Sequence, residues 1–129
     1  MDKSLYAVDW PWWTRDGEVY FREGKLQRVD IDSFQPLSET WARDAKRVYC
    51  GIEVMRGADP ASFVVLNSIY GRDHNHVYTL TGAQKEIDAS TFVALGPTSH
   101  WFNTYNSYGK DEKRVYHLTV GGKACVLKN

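Results

Sequence analysis

The chain has 129 residues, enough for one domain with a single hydrophobic core. Its 16 Lys and Arg residues balance 16 Asp and Glu residues, so it lacks the positive charge that neutralises nucleic-acid phosphates or attracts an anionic membrane surface. No stretch approaches the ~20 apolar residues of a membrane span, and acidic residues stand where a signal peptide needs an apolar run. These features predict a cytoplasmic protein that binds neither nucleic acid nor membranes. The alternative is a secreted or envelope protein whose leader has been removed.

The first notable segment is aromatic and reads Trp10-Pro11-Trp12-Trp13. We assign Trp13 to the first copy of a recurring phrase, whereas Trp10 and Trp12 lie outside that phrase. Terminal units of repeat proteins are atypical, which favours a role for Trp10 and Trp12 in covering the first unit. The alternative is that both stay exposed and bind a partner.

The recurring phrase contains an aromatic, a small, a basic and an Asp residue, and each copy is followed by Val-Tyr. Its four copies end at Asp16, Asp44, Asp73 and Asp111. Successive Asp residues are 28, 29 and 38 positions apart. A period of about 20 to 50 residues indicates a repeat architecture, in which neighbouring copies bury each other's apolar faces.

Each copy of the phrase predicts a β-hairpin, because an aromatic strand leads to a polar turn and a β-branched and aromatic strand follows. The first turn contains Asp16-Gly17, which is typical of a two-residue type I′ turn. A further short strand is predicted at 52–54, where apolar and polar residues alternate.

A second phrase, an Asp followed four residues later by Phe, lies between the hairpins. Its copies are Asp30/Phe34, Asp59/Phe63 and Asp88/Phe92. In the second copy, Asp59 is a typical helix cap and Pro60 suits the first helical position. Phe63 and Leu66 would then share one face of the helix. The phrase therefore predicts a helix of one to two turns in each unit.

Together these elements predict a strand-rich α+β fold, built from tandem repeats of a short hairpin or meander plus a one-to-two-turn helix. About three and a half units form a single domain over 1–129. The predicted divisions are units at about 13–40, 41–69 and 70–107, an inserted loop at 96–107 and a closing hairpin at 108–122.

The clearest copy of the pattern runs from Trp41 to Phe63. It contains Arg43-Asp44, Val48-Tyr49, Gly51 and Gly57-Ala58-Asp59-Pro60-Ala61-Ser62-Phe63. This pattern resembles the DKNYY family of bacterial repeat proteins, and the similarity covers most of the chain from Trp13 to about Gly122. The resemblance implies no reaction, because the family is largely of unknown function. Some members resemble immunity proteins that neutralise a co-produced toxin.

Candidate catalytic or metal-binding residues are few. His74 and His76 are two residues apart and would share a face in a strand, which is a possible metal-ligand spacing. The other copies carry other polar residues in this turn, so solvated side chains are the simpler interpretation. Neither Cys50 nor Cys125 has a local partner that would activate a nucleophile. The sequence therefore predicts no catalytic residue, no metal site and no cofactor.

The longer last step between Asp73 and Asp111 reflects an insertion within 96–107 that is rich in aromatic, Asn and Ser residues. Insertions in repeat proteins often form the binding face, and large aromatic residues anchor interfaces. The candidate partner-binding residues are His100, Trp101, Phe102, Asn103 and Tyr105, together with Trp10 and Trp12. The alternative is that Trp101 and Phe102 fold back over an open end of the core.

Two functions are therefore expected from different classes. The first is a non-enzymatic protein-binding module, specifically an immunity-type protein whose partner is a cognate bacterial toxin. The second is a small enzyme or a metal- or ligand-binding protein that uses His74, His76 and His100. The sequence does not predict the oligomeric state.

Overall fold

The computed structural model describes residues 3–4, 10–67, 69–95, 108–118 and 124–126, and these residues form sixteen short β-strands. The strands belong to four antiparallel sheets of four strands each, in which every strand pairs with the next one in the chain. Each sheet is therefore a simple meander.

Each sheet consists of four consecutive strands of the chain. The first sheet contains β1 (Lys3–Ser4), β2 (Trp12–Arg15), β3 (Glu18–Phe21) and β4 (Gly24–Lys25). The second contains β5 (Gln35–Pro36), β6 (Trp41–Arg43), β7 (Val48–Cys50) and β8 (Glu53–Val54). The third contains β9 (Val64–Val65), β10 (Gly71–Arg72), β11 (Val77–Thr79) and β12 (Gly82–Gln84). The fourth contains β13 (Val93–Ala94), β14 (Tyr108–Lys110), β15 (Val115–Leu118) and β16 (Ala124–Val126).

The predicted α+β class is wrong, because the described residues form no helix. The Asp-to-Phe phrase forms a single turn, in which the Asp59 carbonyl accepts the Ser62 N–H at 3.3 Å and the Asp59 carboxylate accepts the Ala61 N–H at 3.2 Å. The chain then becomes extended at Val64. Asp followed by Pro is as typical of the first two positions of a type I turn as of a helix start. Within the described ranges, the chain has no helix long and apolar enough to cross a membrane.

The predicted hairpins are present. Arg15 pairs with Glu18, which leaves Asp16 and Gly17 as a two-residue turn with φ angles of 51° and 77°. Positive φ at both positions is the signature of the predicted type I′ turn. The other three hairpins have four-residue turns, since the last pairs before them are Arg43 with Val48, Arg72 with Val77 and Lys110 with Val115.

The sheets pack on one another in chain order. In β7, Val48 belongs to a cluster with Phe63 of the following linker and Tyr78 of the third sheet, whereas its neighbour Tyr49 belongs to a cluster with Trp12 of the first sheet. Successive strand residues point to opposite faces, so the second sheet is buried on both sides. A third cluster joins the third and fourth repeats. The core is therefore a series of three junctions between consecutive sheets.

Small residues allow the sheets to receive the Phe side chains. A Cβ atom added to Gly71 would lie 2.2 Å from Phe63 Cζ, and one added to Gly109 would lie 2.1 Å from Phe92 Cζ. The Phe ring thus lies directly on the backbone of the following hairpin. In the second sheet the corresponding residue is Ala42, which pairs with Tyr49 as Gly71 pairs with Tyr78.

We expect Gly71→Ala to lower the free energy of unfolding by about 1–3 kcal/mol, because the new methyl group overlaps Phe63. Urea denaturation measures the change. In a double-mutant cycle, Phe63→Leu should remove part of this cost, because a smaller side chain leaves room for the methyl group. A Gly71→Ala cost below about 0.5 kcal/mol would show that the ring does not lie on the glycine.

Candidate functional site

Each of the three four-residue hairpin turns begins with a buried Asp. These turn aspartates are Asp44, Asp73 and Asp111. One carboxylate oxygen, Oδ1, accepts backbone N–H groups from the residues two and three positions later. In the second sheet the donors are Lys46 at 2.8 Å and Arg47 at 2.7 Å. The other two turns repeat both bonds at 2.8–2.9 Å.

The second carboxylate oxygen ties the turn to two other segments. Asp44 Oδ2 accepts the Tyr49 hydroxyl at 2.7 Å and the Asp30 N–H at 2.9 Å. The equivalent donors are Tyr78 and the Asp59 N–H for Asp73, and Tyr116 and the Asp88 N–H for Asp111. Every turn aspartate therefore accepts four hydrogen bonds, which hold the turn, the following strand and the preceding linker together.

These hydrogen bonds fix the charge of each pair. Burial opposes ionisation of the turn aspartates, but the four donors outweigh it and lower the pKa of each carboxyl, to about 2 for Asp111. Burial, together with the bond to a carboxylate, raises the pKa of Tyr49 and of Tyr116 to about 12. Neither partner exchanges a proton near neutral pH, as a general acid or base must.

A second set of bonds fixes the linker turns, which contain Asp30, Asp59 and Asp88 and are termed the linker aspartates. Asp30 Oδ2 accepts the Ser33 hydroxyl at 2.6 Å, and Ser33 Oγ accepts the Ala45 N–H at 2.8 Å. The same relay joins Asp59, Ser62 and His74, and Asp88, Thr91 and Glu112. The linker turns and hairpin turns therefore lie side by side on one surface, termed the tip face.

His74 adds a Ser-His-Asp combination to the third copy of this relay. Its Nδ1 lies 2.9 Å from Ser62 Oγ and 3.2 Å from Asp59 Oδ2. A catalytic triad needs the two imidazole nitrogens to contact the nucleophile and the carboxylate separately, whereas both contacts here involve one nitrogen. The equivalent positions hold Ala45 and Glu112, and the relay is intact in both. The cluster is therefore a copy of a structural turn.

His76 and Cys50 are the other candidates for metal binding or catalysis, and both lie in structural surroundings. The His76 ring packs edge-on against Tyr78, with centroids 6.2 Å apart. The described residues contain no group of three His, Cys, Asp or Glu side chains placed to hold a metal ion. Cys50 is a free, buried thiol whose pKa is raised to about 12, first by burial and then by the charge of Glu53. It therefore remains protonated at neutral pH and is a poor nucleophile.

The residues at the hairpin tips differ between copies. The three positions after each turn aspartate read Ala45-Lys46-Arg47, His74-Asn75-His76 and Glu112-Lys113-Arg114. The first two positions of every tip are exposed. The turn aspartates, the Ser or Thr of the linker turns and the Val-Tyr residues repeat, and they are termed the frame. The tip face therefore combines this frame with varied side chains.

Shallow grooves lie between successive units on this face. Arg43 crosses the first groove and donates from Nη1 to the Pro60 carbonyl at 2.9 Å. Arg72 makes the equivalent bond to the Ala89 carbonyl, also at 2.9 Å. The grooves thus recur with the period of the sheets.

The structure places Trp12 in the core and Trp10 at its edge. Trp12 is fully buried and donates from Nε1 to the Ser38 carbonyl, as Trp41 donates to the Asn67 carbonyl one repeat later. Trp12, rather than Trp13, therefore occupies the repeated aromatic position, and it has no exposed surface to offer a partner. Trp10 packs partly buried against the same cluster. The predicted contact residues His100, Trp101, Phe102, Asn103 and Tyr105 lie outside the described residues.

A simple spacing identifies these positions in the sequence. The aromatic residue precedes the Val of Val-Tyr by seven residues in all copies if the first copy starts at Trp12. This alignment places Arg15 where the other copies have a turn aspartate. It also separates the constant positions from the varied tips, where no residue type typical of catalysis is present in all copies.

Comparison with known proteins gives one match. The model of the DKNYY family matches residues 12–120, which span all four sheets from β2 to the end of β15. No curated protein and no solved structure was found to match the chain.

We expect Asp73→Asn to lower the free energy of unfolding by about 1–3 kcal/mol, because the amide places donors opposite backbone N–H groups. Urea denaturation measures the loss. Asp32→Asn is the matched control, since Asp32 is an exposed residue of a linker turn, and it should change stability by less than about 0.5 kcal/mol. Equal effects of the two substitutions would contradict the role of the turn aspartates.

Stability should also fall in acid. The turn aspartates have a folded-state pKa below the ordinary value of 3.8, so the folded state binds their protons less readily than the unfolded state. Their stabilising contribution is fully present above about pH 4 and is lost as the pH falls through the lowered folded-state pKa values, which for Asp111 is about 2. Unfolding free energies measured from pH 6 to pH 2 should therefore decrease, with a shallower decrease in Asp73→Asn.

Proposed function

The chain belongs to the DKNYY family, and on that premise we propose that it is a non-enzymatic protein-binding module. More specifically, we propose an immunity-type protein that neutralises a cognate bacterial toxin by direct binding in the cytoplasm. Such an inhibitor acts by occupying a surface of the toxin. It therefore requires a rigid binding face and no reactive group of its own.

The observation that carries this proposal is how the tips are attached to the frame. Ala45, Lys46 and Arg47 satisfy the Ser33 hydroxyl and the Asp44 carboxylate through their backbone N–H groups. The same backbone bonds recur in the other two four-residue turns. The side chains at these positions can therefore change without loss of the bonds that form the turn. Varied loops on a rigid scaffold are the usual basis of protein recognition.

The hairpin tips carry an excess of positive charge. Lys46, Lys113 and Arg114 are exposed there beside the exposed Glu112, and the turn aspartates are buried beneath them. The linker turns of the same face add carboxylates, such as the exposed Asp32, so a partner meets charges of both signs on the tip face. Such peripheral charges mainly raise the association rate and make binding sensitive to salt.

The inserted segment 96–107 stays a second candidate for contact with the partner, because large aromatic residues anchor interfaces. Its residues lie outside those that the structure describes. Contributions of the tips and of the inserted aromatic residues can be separated by substitution.

We expect the chain to bind the product of a neighbouring open reading frame and to protect cells that express that product. Lys46→Glu with Lys113→Glu should weaken binding at least about tenfold and reduce its salt dependence, because two exposed cations of the tip face are reversed. Isothermal titration calorimetry at low and high salt measures both effects. Trp101→Ala with Phe102→Ala tests the inserted segment in the same assay.

Arg22→Glu is the matched control, since Arg22 is an exposed cation at the end of the first hairpin remote from its turn. It should leave affinity within about twofold of the original. The proposal fails if the unaltered chain neither binds the neighbouring products nor protects cells that express them. It also fails if the chain turns over a substrate and this turnover depends on Ser62 or His74.

A further inference from the structure

The three internal junctions use the same aromatic arrangement. The Trp or Tyr that begins each hairpin packs against the Phe of the following linker, in the pairs Trp12–Phe34, Trp41–Phe63 and Tyr70–Phe92, with centroids 5.0–5.5 Å apart. That Phe also packs against the Tyr of its own Val-Tyr, at 6.0–6.4 Å. Each sheet thus receives a Phe and Tyr pair from the next repeat.

The outer face of the fourth sheet has the same receiving side chains but is incompletely covered. Tyr108 and Val115 take the positions that Tyr70 and Val77 occupy in the third sheet. Tyr70 and Val77 are fully buried, whereas Val115 is 38% exposed and Tyr108 is partly buried. On the same face, the buried His117 Nδ1 has no hydrogen-bond partner within the described part of the chain. No further sheet among the described residues covers this face.

The outer face of the first sheet presents an aromatic pair rather than receiving one. Trp13 pairs with Tyr20 and so occupies the position of Ala42, Gly71 and Gly109. Phe rings rest on the two glycines. Its indole stacks on the Tyr20 ring, with centroids 4.2 Å apart and an interplanar angle of 11°. Trp13 and Tyr20 thus present an aromatic pair where the other repeats present Phe and Tyr.

We propose that a second copy of this chain docks head to tail, with its Trp13–Tyr20 face on the Tyr108–Val115–His117 face of the first. The contact continues the series of three sheet-to-sheet interfaces already present within the chain, in the same chain order. The two faces differ, so the interface is heterologous, and each dimer retains one free face of each kind. The inference rests on the outer faces of the first and fourth sheets, and it is independent of the binding of a toxin by the tip face.

Two variants with opposite faces blocked provide the test. Val115→Lys places a charge on the receiving face, and Tyr20→Lys removes the presented ring pair. Sedimentation velocity from about 1 to about 500 μM should show growth of the unaltered chain into dimers and larger species, whereas each variant alone stays monomeric. An equimolar mixture of the variants should form dimers and nothing larger, because each supplies the face that the other lacks.

Leu80→Lys is the control, since Leu80 is 56% exposed outside both faces, and it should associate like the unaltered chain. Circular dichroism confirms that each variant is folded. If one variant is not folded, Trp13→Lys or His117→Glu replaces it on the same face. A monomeric unaltered chain at all concentrations, or a mixture that stays monomeric, would overturn the proposal. Either result would indicate that another segment of the same chain covers the faces.

Discussion

The structure depends on a buried carboxylate that accepts four hydrogen bonds. Burial of an unpaired carboxylate costs several kcal/mol, so a turn aspartate is stable only when its donors are in place. Those donors come from three segments: the turn itself, the Tyr of the next strand and the backbone of the preceding linker. Hairpin closure, strand position and linker path are therefore specified together. The same coupling recurs at Asp73 and at Asp111, where it is kept across the longer last step of the repeat.

Features set by local contacts could be predicted from the sequence, whereas those set by distant contacts could not. The Asp16-Gly17 turn needs only positive φ at two adjacent residues, and its prediction is confirmed. The Asp59-Pro60 segment suits a helix start and a turn equally well. What decides between them is distant in sequence: the Ser62 hydroxyl accepts the His74 N–H, and Phe63 must lie on Gly71. Both contacts require an extended chain directly after the turn.

The first repeat shows how resemblance of residue type misleads. Matching by type pairs Trp13 with Trp41, because a basic residue and Asp follow both. The first hairpin has a two-residue turn and a longer ladder, so the pair Trp12 and Phe21 lies where Trp41 and Cys50 lie in the second sheet. Spacing is the more reliable guide, because packing fixes the distance between buried residues. The candidate site was missed for a related reason, since its residues are those that vary.

The separation of frame and tip allows the exposed surface to change while the hydrogen bonds of the turn are kept. Carboxylate and hydroxyl groups of the frame bind the tip through backbone N–H groups, which every residue except Pro provides. Substitution of Lys46, His74 or Glu112 therefore changes the exposed surface and leaves the bonds of the turn in place. A repeat built in this way can acquire a new binding surface at little cost in folding free energy. The same division gives Ser62 and Asp59 a structural role in the linker turn, which Thr91 and Asp88 repeat in the next copy.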